Sequence, residues 1–206
     1  MSSCLIRCPH KLWFIRHGET EYNREGRLQG QQDIGLNPKG REQASAVGRA
    51  LRKLAGPEID RLEKSRAFVA SPLLRTRQTM ELARSAMGLD PQAYALNDDL
   101  KELTFGDWEG LTWLEVEARD PEGAAARATD KWGFVPPNGE SYAGLALRLT
   151  PWVEAMERDL FVASHGGVAR ALMYLLAGVR PEIAANAGIH QGRAILFSDG
   201  SFRWLG

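Results

Sequence analysis

"LWFIRHGETEYN", residues 12–23, sets a short apolar run directly before an arginine, a histidine and a glycine. An apolar run of this length, followed at once by polar groups and a small residue, reads as a buried strand ending in an exposed loop. In open α/β sheets ligands bind outside the carboxyl ends of the strands. Arg16 and His17 therefore mark a candidate site. Taken alone, such a pair is better explained as solvation of a strand end, so the rest of the chain has to decide.

A second stretch repeats the pattern. "LFVASHGGVARAL", residues 160–172, is an apolar strand, then Ser164-His165-Gly166, then a helical pattern from Gly167. If the two strands are parallel neighbours, their carboxyl ends bring His17 and His165 side by side. The free N–H groups of the second helix then point into the same space and make an anion site. The chain holds only four histidines, and two in matched settings argue against coincidence.

Strand-like runs at about 11–15, 67–70, 160–164 and 194–198 alternate with helical patterns near 38–54, 72–88, 141–157 and 167–177. That alternation predicts an α/β fold with a mostly parallel sheet. Asp199-Gly200 between the last apolar runs is a tight-turn signal, so the C-terminus is expected to form a β-hairpin. Asn37 before Pro38 and Ser71 before Pro72 each read as a capping side chain ahead of a first-turn proline. Pro151 is expected to kink or divide its helix. Residues 103–138, rich in Trp, Gly, Ala and charge, read as an insertion covering one sheet edge.

Length and composition bound the function. A chain of 206 residues suits one compact domain, 1–206, that buries roughly 70% of its unfolded surface. Twenty-six basic residues balance 26 acidic ones, so net charge points to neither a nucleic-acid nor a membrane partner. The two cysteines, Cys4 and Cys8, make neither a zinc pattern nor a disulfide framework. There is no run of membrane-spanning length, and "MSSCLIRCPHKLWFI" lacks a long apolar segment with a small-residue cleavage site. The expectation is a soluble cytoplasmic protein.

Two further regions add chemistry. Ser71 at the cap and Arg75 four residues on are expected to share one helix face, which places a guanidinium beside the strand end. In "LKELTFGDWEG" Glu102 lies among Leu100, Leu103 and Phe105, and a carboxyl in apolar surroundings has a raised pKa. No carboxylate cluster with metal spacing accompanies the histidines, so no metal and no cofactor is expected. His10 and His190 read as structural. The tryptophans read as packing, with Trp108 close enough to "FGD" to reach a ligand.

"RHGETEYN", "LQGQQDIGLNPKGREQA", "SPLLRTRQT", "ELTFGDWEG" and "SHGGVARAL" occur in the order and spacing of the histidine phosphatase superfamily, which the chain resembles along nearly its whole length. The resemblance implies a three-layer α/β/α sandwich with a small cap insertion at about 103–138. It also implies a metal-independent phosphomonoesterase acting on a small phosphorylated metabolite, and it leaves a homodimer open. By resemblance His17 is the nucleophile, Arg16 and Arg75 clamp the phosphoryl group, His165 binds it and Glu102 is the proton donor. Asn23, Gln29, Gly30 and the Gly166 N–H border the substrate. A cofactor-dependent phosphoglycerate mutase and a non-catalytic phosphate-binding module are the alternatives. The family's mutases carry a longer insertion and a "RHYGxLQG"-like block, whereas this chain reads "LTFGDWEG", with Arg119, Arg127 and Lys131 as scattered cations on a solvated face. That favours water as the acceptor.

Overall fold

The computed structural model describes residues 5–205; Cys4 lies outside them. Strands β1 (Leu12–Arg16), β2 (Phe68–Ala70), β3 (Ala95–Leu96), β4 (Leu160–Ser164), β5 (Ala194–Ser198) and β6 (Ser201–Leu205) form one sheet in the order β3-β2-β4-β1-β5-β6. The four strands β3, β2, β4 and β1 run parallel, and β5 and β6 add an antiparallel edge. The turn residues Asp199 and Gly200 take φ of 52° and 70°, the left-handed pair a two-residue hairpin requires.

Helices cover both faces. The period-2 alternation of β1 sends Leu12 and Phe14 to one face, against α6 (Tyr142–Glu154) and α7 (Gly166–Ala177). Trp13 and Ile15 go to the other, against α2 (Pro38–Lys64) and α3 (Leu74–Ala86). Filling both faces with Leu, Phe and Val contributes roughly 1.5–3 kcal/mol per fully buried side chain. The expected three-layer α/β/α sandwich is what forms. The short helices α1 (Glu21–Glu25), α4 (Trp113–Arg119), α5 (Pro121–Thr129) and α8 (Pro181–Ala184) lie in the connections.

Several local expectations are corrected. Helix α2 runs past residue 54: it kinks at Ala55 (φ −141°, ψ 38°), ahead of Gly56-Pro57, and resumes because Ile59 and Leu62 are buried against the sheet. Pro151 does not divide helix α6, which runs unbroken from Tyr142 to Glu154. The carbonyl that Pro151 leaves unpaired belongs to Leu147, an exposed residue whose backbone water can reach. Ser71 does not cap α3; Leu73 stands at that position with no side-chain bond. The segment 103–138 does not cover a sheet edge. Trp108 and Val116 bury with Leu28 in a separate small cluster, and Leu28 N–H and O pair with Leu111 O and Gly110 N–H, so the segment sits on the loop that follows β1.

Candidate active site

The parallel β1–β4 ladder pairs Arg16 with Ser164, and its next step is the bond from His17 N–H to Ser164 O at 2.9 Å. His17 and His165 are therefore ladder neighbours just beyond the strands, with ring centroids 5.3 Å apart. Both are buried. His17 Nδ1 lies 2.8 Å from Gly18 O. A carbonyl only accepts, so Nδ1 carries the hydrogen and Nε2 keeps a lone pair. Burial, with Arg75 and Arg16 adding to it, holds the His17 pKa well below 6.5, so the ring is neutral at neutral pH. The loop carrying it is locked by close packing: a Cβ on Gly18 would run into the Gly40 backbone at the start of α2.

His165 Nε2 is 2.8 Å from Ser71 Oγ, while its Nδ1 is buried without a protein partner. Ser71 belongs to the sheet end, not to a helix cap: its N–H continues the β2–β4 ladder to Ala163 O at 3.1 Å. Its hydroxyl is thereby delivered to the histidine. Burial, then Arg75 and His17, push the His165 pKa well below 6.5 as well, so only one ring nitrogen bears a hydrogen.

Arg75, in the first turn of α3 and 1% exposed, donates to Gln32 O and Gly30 O, each at 2.7 Å. Arg16 Nη1 donates to Ile189 O at 2.8 Å. Each guanidinium is thus fixed by backbone carbonyls while its Nε stays buried without an acceptor. Burial brings Arg75 down to about 10 and lowers Arg16, and Arg75 remains charged at neutral pH. The unpaired buried donors beside the first turn of α7 are a set that an oxyanion would satisfy.

Glu102 joins this group, but not in apolar surroundings. Its carboxylate accepts from Gly167 N in the first turn of α7 and from Leu103 N, both at 3.0 Å. A Cβ on Gly167 would collide with Oε1. Arg148 holds the preceding loop through the carbonyls of Asp99 and Lys101 and is itself paired with Glu140 at 2.9 Å.

The other expected site residues are placed as follows. Gly166 opens α7 directly beside Arg16. Gly30 takes φ +50° and lends its carbonyl to Arg75. Gln29 is buried with Oε1 unpaired. Asn23 Oδ1 is occupied by Thr20, in the capping box of α1, and by Gln191 Nε2 at 2.8 Å. Trp108 is buried, stacked on Phe134 and bonded to Asp120, which makes it part of the cap's packing. His190 is exposed and packs on Trp204. Ser71, Gln31, which bonds Glu102 O at 3.0 Å, and Arg170 were missed by sequence reasoning. Only Ser71, inside the "SPLLR" block, carried a signal, and it was read as a cap. Among the described residues no three His, Cys, Asp or Glu side chains are grouped to hold a metal ion, and no helix is long and apolar enough to cross a membrane.

Comparison with known proteins is consistent with this geometry. A family model described as the histidine phosphatase superfamily, branch 1, matches residues 12–199. Glucosyl-3-phosphoglycerate phosphatase of Mycolicibacterium vanbaalenii is 33% identical over 181 residues, 82% of this chain and 75% of that protein. Bifunctional protein Rv2228c of Mycobacterium tuberculosis is 36% identical over 190 residues, but these make up 92% of this chain and only 47% of that protein. The crystal structure of TTHB049 from Thermus thermophilus superposes with a TM-score of 0.70 at 31% identity, covering 95% of this chain and 97% of that one.

Proposed function

The chain belongs to the histidine phosphatase superfamily, and from that membership we propose that it hydrolyses a small phosphorylated metabolite through a phosphohistidine on His17. The observation that carries this reading is the His17 ring itself: neutral, with Nδ1–H tied to Gly18 O and the Nε2 lone pair left beside two fixed guanidinium groups.

In the first step Nε2 attacks phosphorus and the ester P–O bond breaks. Arg16 and Arg75 balance the charge on the equatorial oxygens without losing their own. With the Ser71 hydroxyl donating to Nε2 of His165, Nδ1–H of that ring is left to donate to a phosphoryl oxygen. The leaving oxygen takes a proton from Glu102 in its carboxylic acid form, and the carboxylate that results is held by the N–H groups of Gly167 and Leu103. In the second step Glu102 takes a proton from water, the water oxygen bonds to phosphorus, the N–P bond breaks and phosphate leaves. General acid–base help of this kind is worth roughly 10²–10⁴-fold.

The test is release of phosphate from p-nitrophenyl phosphate between pH 5 and 8 in buffer containing a chelator. The wild-type chain is expected to turn over and His17→Ala to be inactive. A wild-type protein that never releases phosphate, or a His17→Ala rate equal to wild type, would refute the reading.

A further inference from the structure

One side chain near the start of α2 reaches the loop that carries His17 and takes no part in the steps above. Gln43, half-buried, accepts the backbone N–H of Glu19 on its Oε1 at 2.9 Å. Glu19 N–H and Gly18 C=O belong to one planar peptide unit. That carbonyl oxygen is the one 2.8 Å from His17 Nδ1. A single amide is therefore held at both ends, its N–H by Gln43 and its oxygen by the His17 ring.

The orientation of this amide decides which nitrogen of His17 carries the hydrogen. With the oxygen toward the ring, Nδ1 must donate and Nε2 keeps its lone pair. Turned over, the same unit would offer its N–H to Nδ1; the hydrogen would then sit on Nε2, which could no longer attack phosphorus. The hinge for such a rotation is Gly18, the residue type with the widest choice of φ and ψ. A side chain there is not an option, because a Cβ would run into the Gly40 backbone. The units on either side are anchored: Gly18 N–H donates to Thr79 Oγ1 at 3.1 Å, and Glu19 O accepts from Asn37 N–H at 2.9 Å. Between them, the N–H of the Gly18–Glu19 unit is held by Gln43. Hydrogen bonds in series polarise one another, so the same contact makes Gly18 O the better acceptor for Nδ1–H. Gly192 leaves room for this side chain: a Cβ there would lie 3.4 Å from Gln43 Cγ.

We propose that Gln43 is a positioning residue for His17, which fixes the Gly18–Glu19 amide, selects the Nδ1–H tautomer and so leaves the Nε2 lone pair for phosphorus. This rests on the phosphomonoesterase reading above and deepens it, with no substrate contact assigned to Gln43. The net worth of one neutral hydrogen bond corresponds to about three- to tenfold in such an equilibrium.

The test compares Gln43→Leu, which removes the acceptor, with Gln43→Glu, which keeps one at the same reach. Ring nitrogen shifts of His17 by NMR, in protein without substrate, report the tautomer; kcat/KM for p-nitrophenyl phosphate reports attack, and inhibition by inorganic phosphate reports the arginine clamp. In Gln43→Leu we expect shifts of a tautomer mixture and a kcat/KM about three- to tenfold lower, with a phosphate inhibition constant within about twofold of wild type because Arg16 and Arg75 are untouched. A general packing defect would move both constants. Gln43→Glu is expected to restore the Nδ1–H shifts and to bring kcat/KM back to within about threefold of wild type. Gln43→Met takes the place of Gln43→Leu should thermal melting show that the leucine variant does not fold. Unchanged shifts or unchanged kcat/KM on removing the acceptor, or a Gln43→Glu protein no better than Gln43→Leu, would overturn the proposal while wild-type hydrolysis still upheld the phosphomonoesterase reading. A wild-type protein that holds the single Nδ1–H tautomer and yet does not hydrolyse p-nitrophenyl phosphate would refute that reading, and this inference with it.

Discussion

His17 and His165 stand with ring centroids 5.3 Å apart because Arg16 and Ser164 are register partners in a parallel ladder. One ring exposes a lone pair at Nε2 and the other an unpaired Nδ1, and each ring's remaining nitrogen is bound to a protein oxygen. The sheet thus delivers as a pair the two rings proposed as nucleophile and phosphoryl-binding group.

Keeping both rings neutral makes stability depend on pH. The unfolded histidines take up protons below about pH 6.5, while the folded ones resist because burial and the arginines depress their pKa values. The unfolded state then binds more protons, so the stabilisation is fully present above pH 6.5 and is lost as pH falls toward the folded values. Two such groups give a slope of about 2.7 kcal/mol per pH unit in that window. Urea unfolding at several pH values checks this: His17→Asn/His165→Asn should remove most of the slope between pH 6.5 and 5, and an unchanged slope would mean the rings are not held neutral.

In the proposed mechanism Ser71 acts through His165. Replacing it with Ala removes the donor that selects the Nδ1–H tautomer, and the vacated Nε2 is left buried, at a stability cost of about 1–3 kcal/mol. We expect kcat to drop about 10²-fold with a smaller change in KM, and Ser71→Thr to recover part of the rate. Ring nitrogen shifts of His165 by NMR report the tautomer, and a Ser71→Ala protein that keeps both the shifts and the rate would contradict the assignment.

Gly167 must lack a side chain to leave room for Glu102. In Gly167→Ala the carboxylate is displaced, so hydrolysis of alkyl phosphates, whose leaving oxygen needs a proton, should fall about 10²–10⁴-fold. p-Nitrophenyl phosphate, whose leaving group departs as the anion, should lose far less in its first step. Equal losses for both substrates would remove Glu102 from the role of proton donor.

Water is the expected acceptor. Arg127 and Lys131 are half-buried rather than on a solvated face, which removes one argument against a mutase, but the "LTFGDWEG" block still departs from the mutase pattern. Incubation with 3-phosphoglycerate and catalytic 2,3-bisphosphoglycerate should give phosphate release. Turnover to 2-phosphoglycerate exceeding it would reverse the assignment.

The residues that sequence reasoning placed are those whose position follows from strand ends. His17, His165 and Arg16 needed only parallel neighbouring strands, and the hairpin at Asp199-Gly200 needed only its turn residues. What it missed was decided by partners distant in the chain. Ser71 looked like a cap until its N–H paired with Ala163, and Glu102 looked apolar until Gly167 supplied an N–H from 65 residues away.

The central claim is a covalent N–P bond at His17. Rapid mixing with excess p-nitrophenyl phosphate, quenching in alkali where phosphoramidates survive, and peptide mass spectrometry measure it directly. The account predicts one added phosphoryl group on the peptide containing His17, lost on mild acid treatment and absent from His17→Ala. Turnover with no phosphorylated His17 peptide at any quench time, or an acid-stable phosphate on another residue, would contradict it.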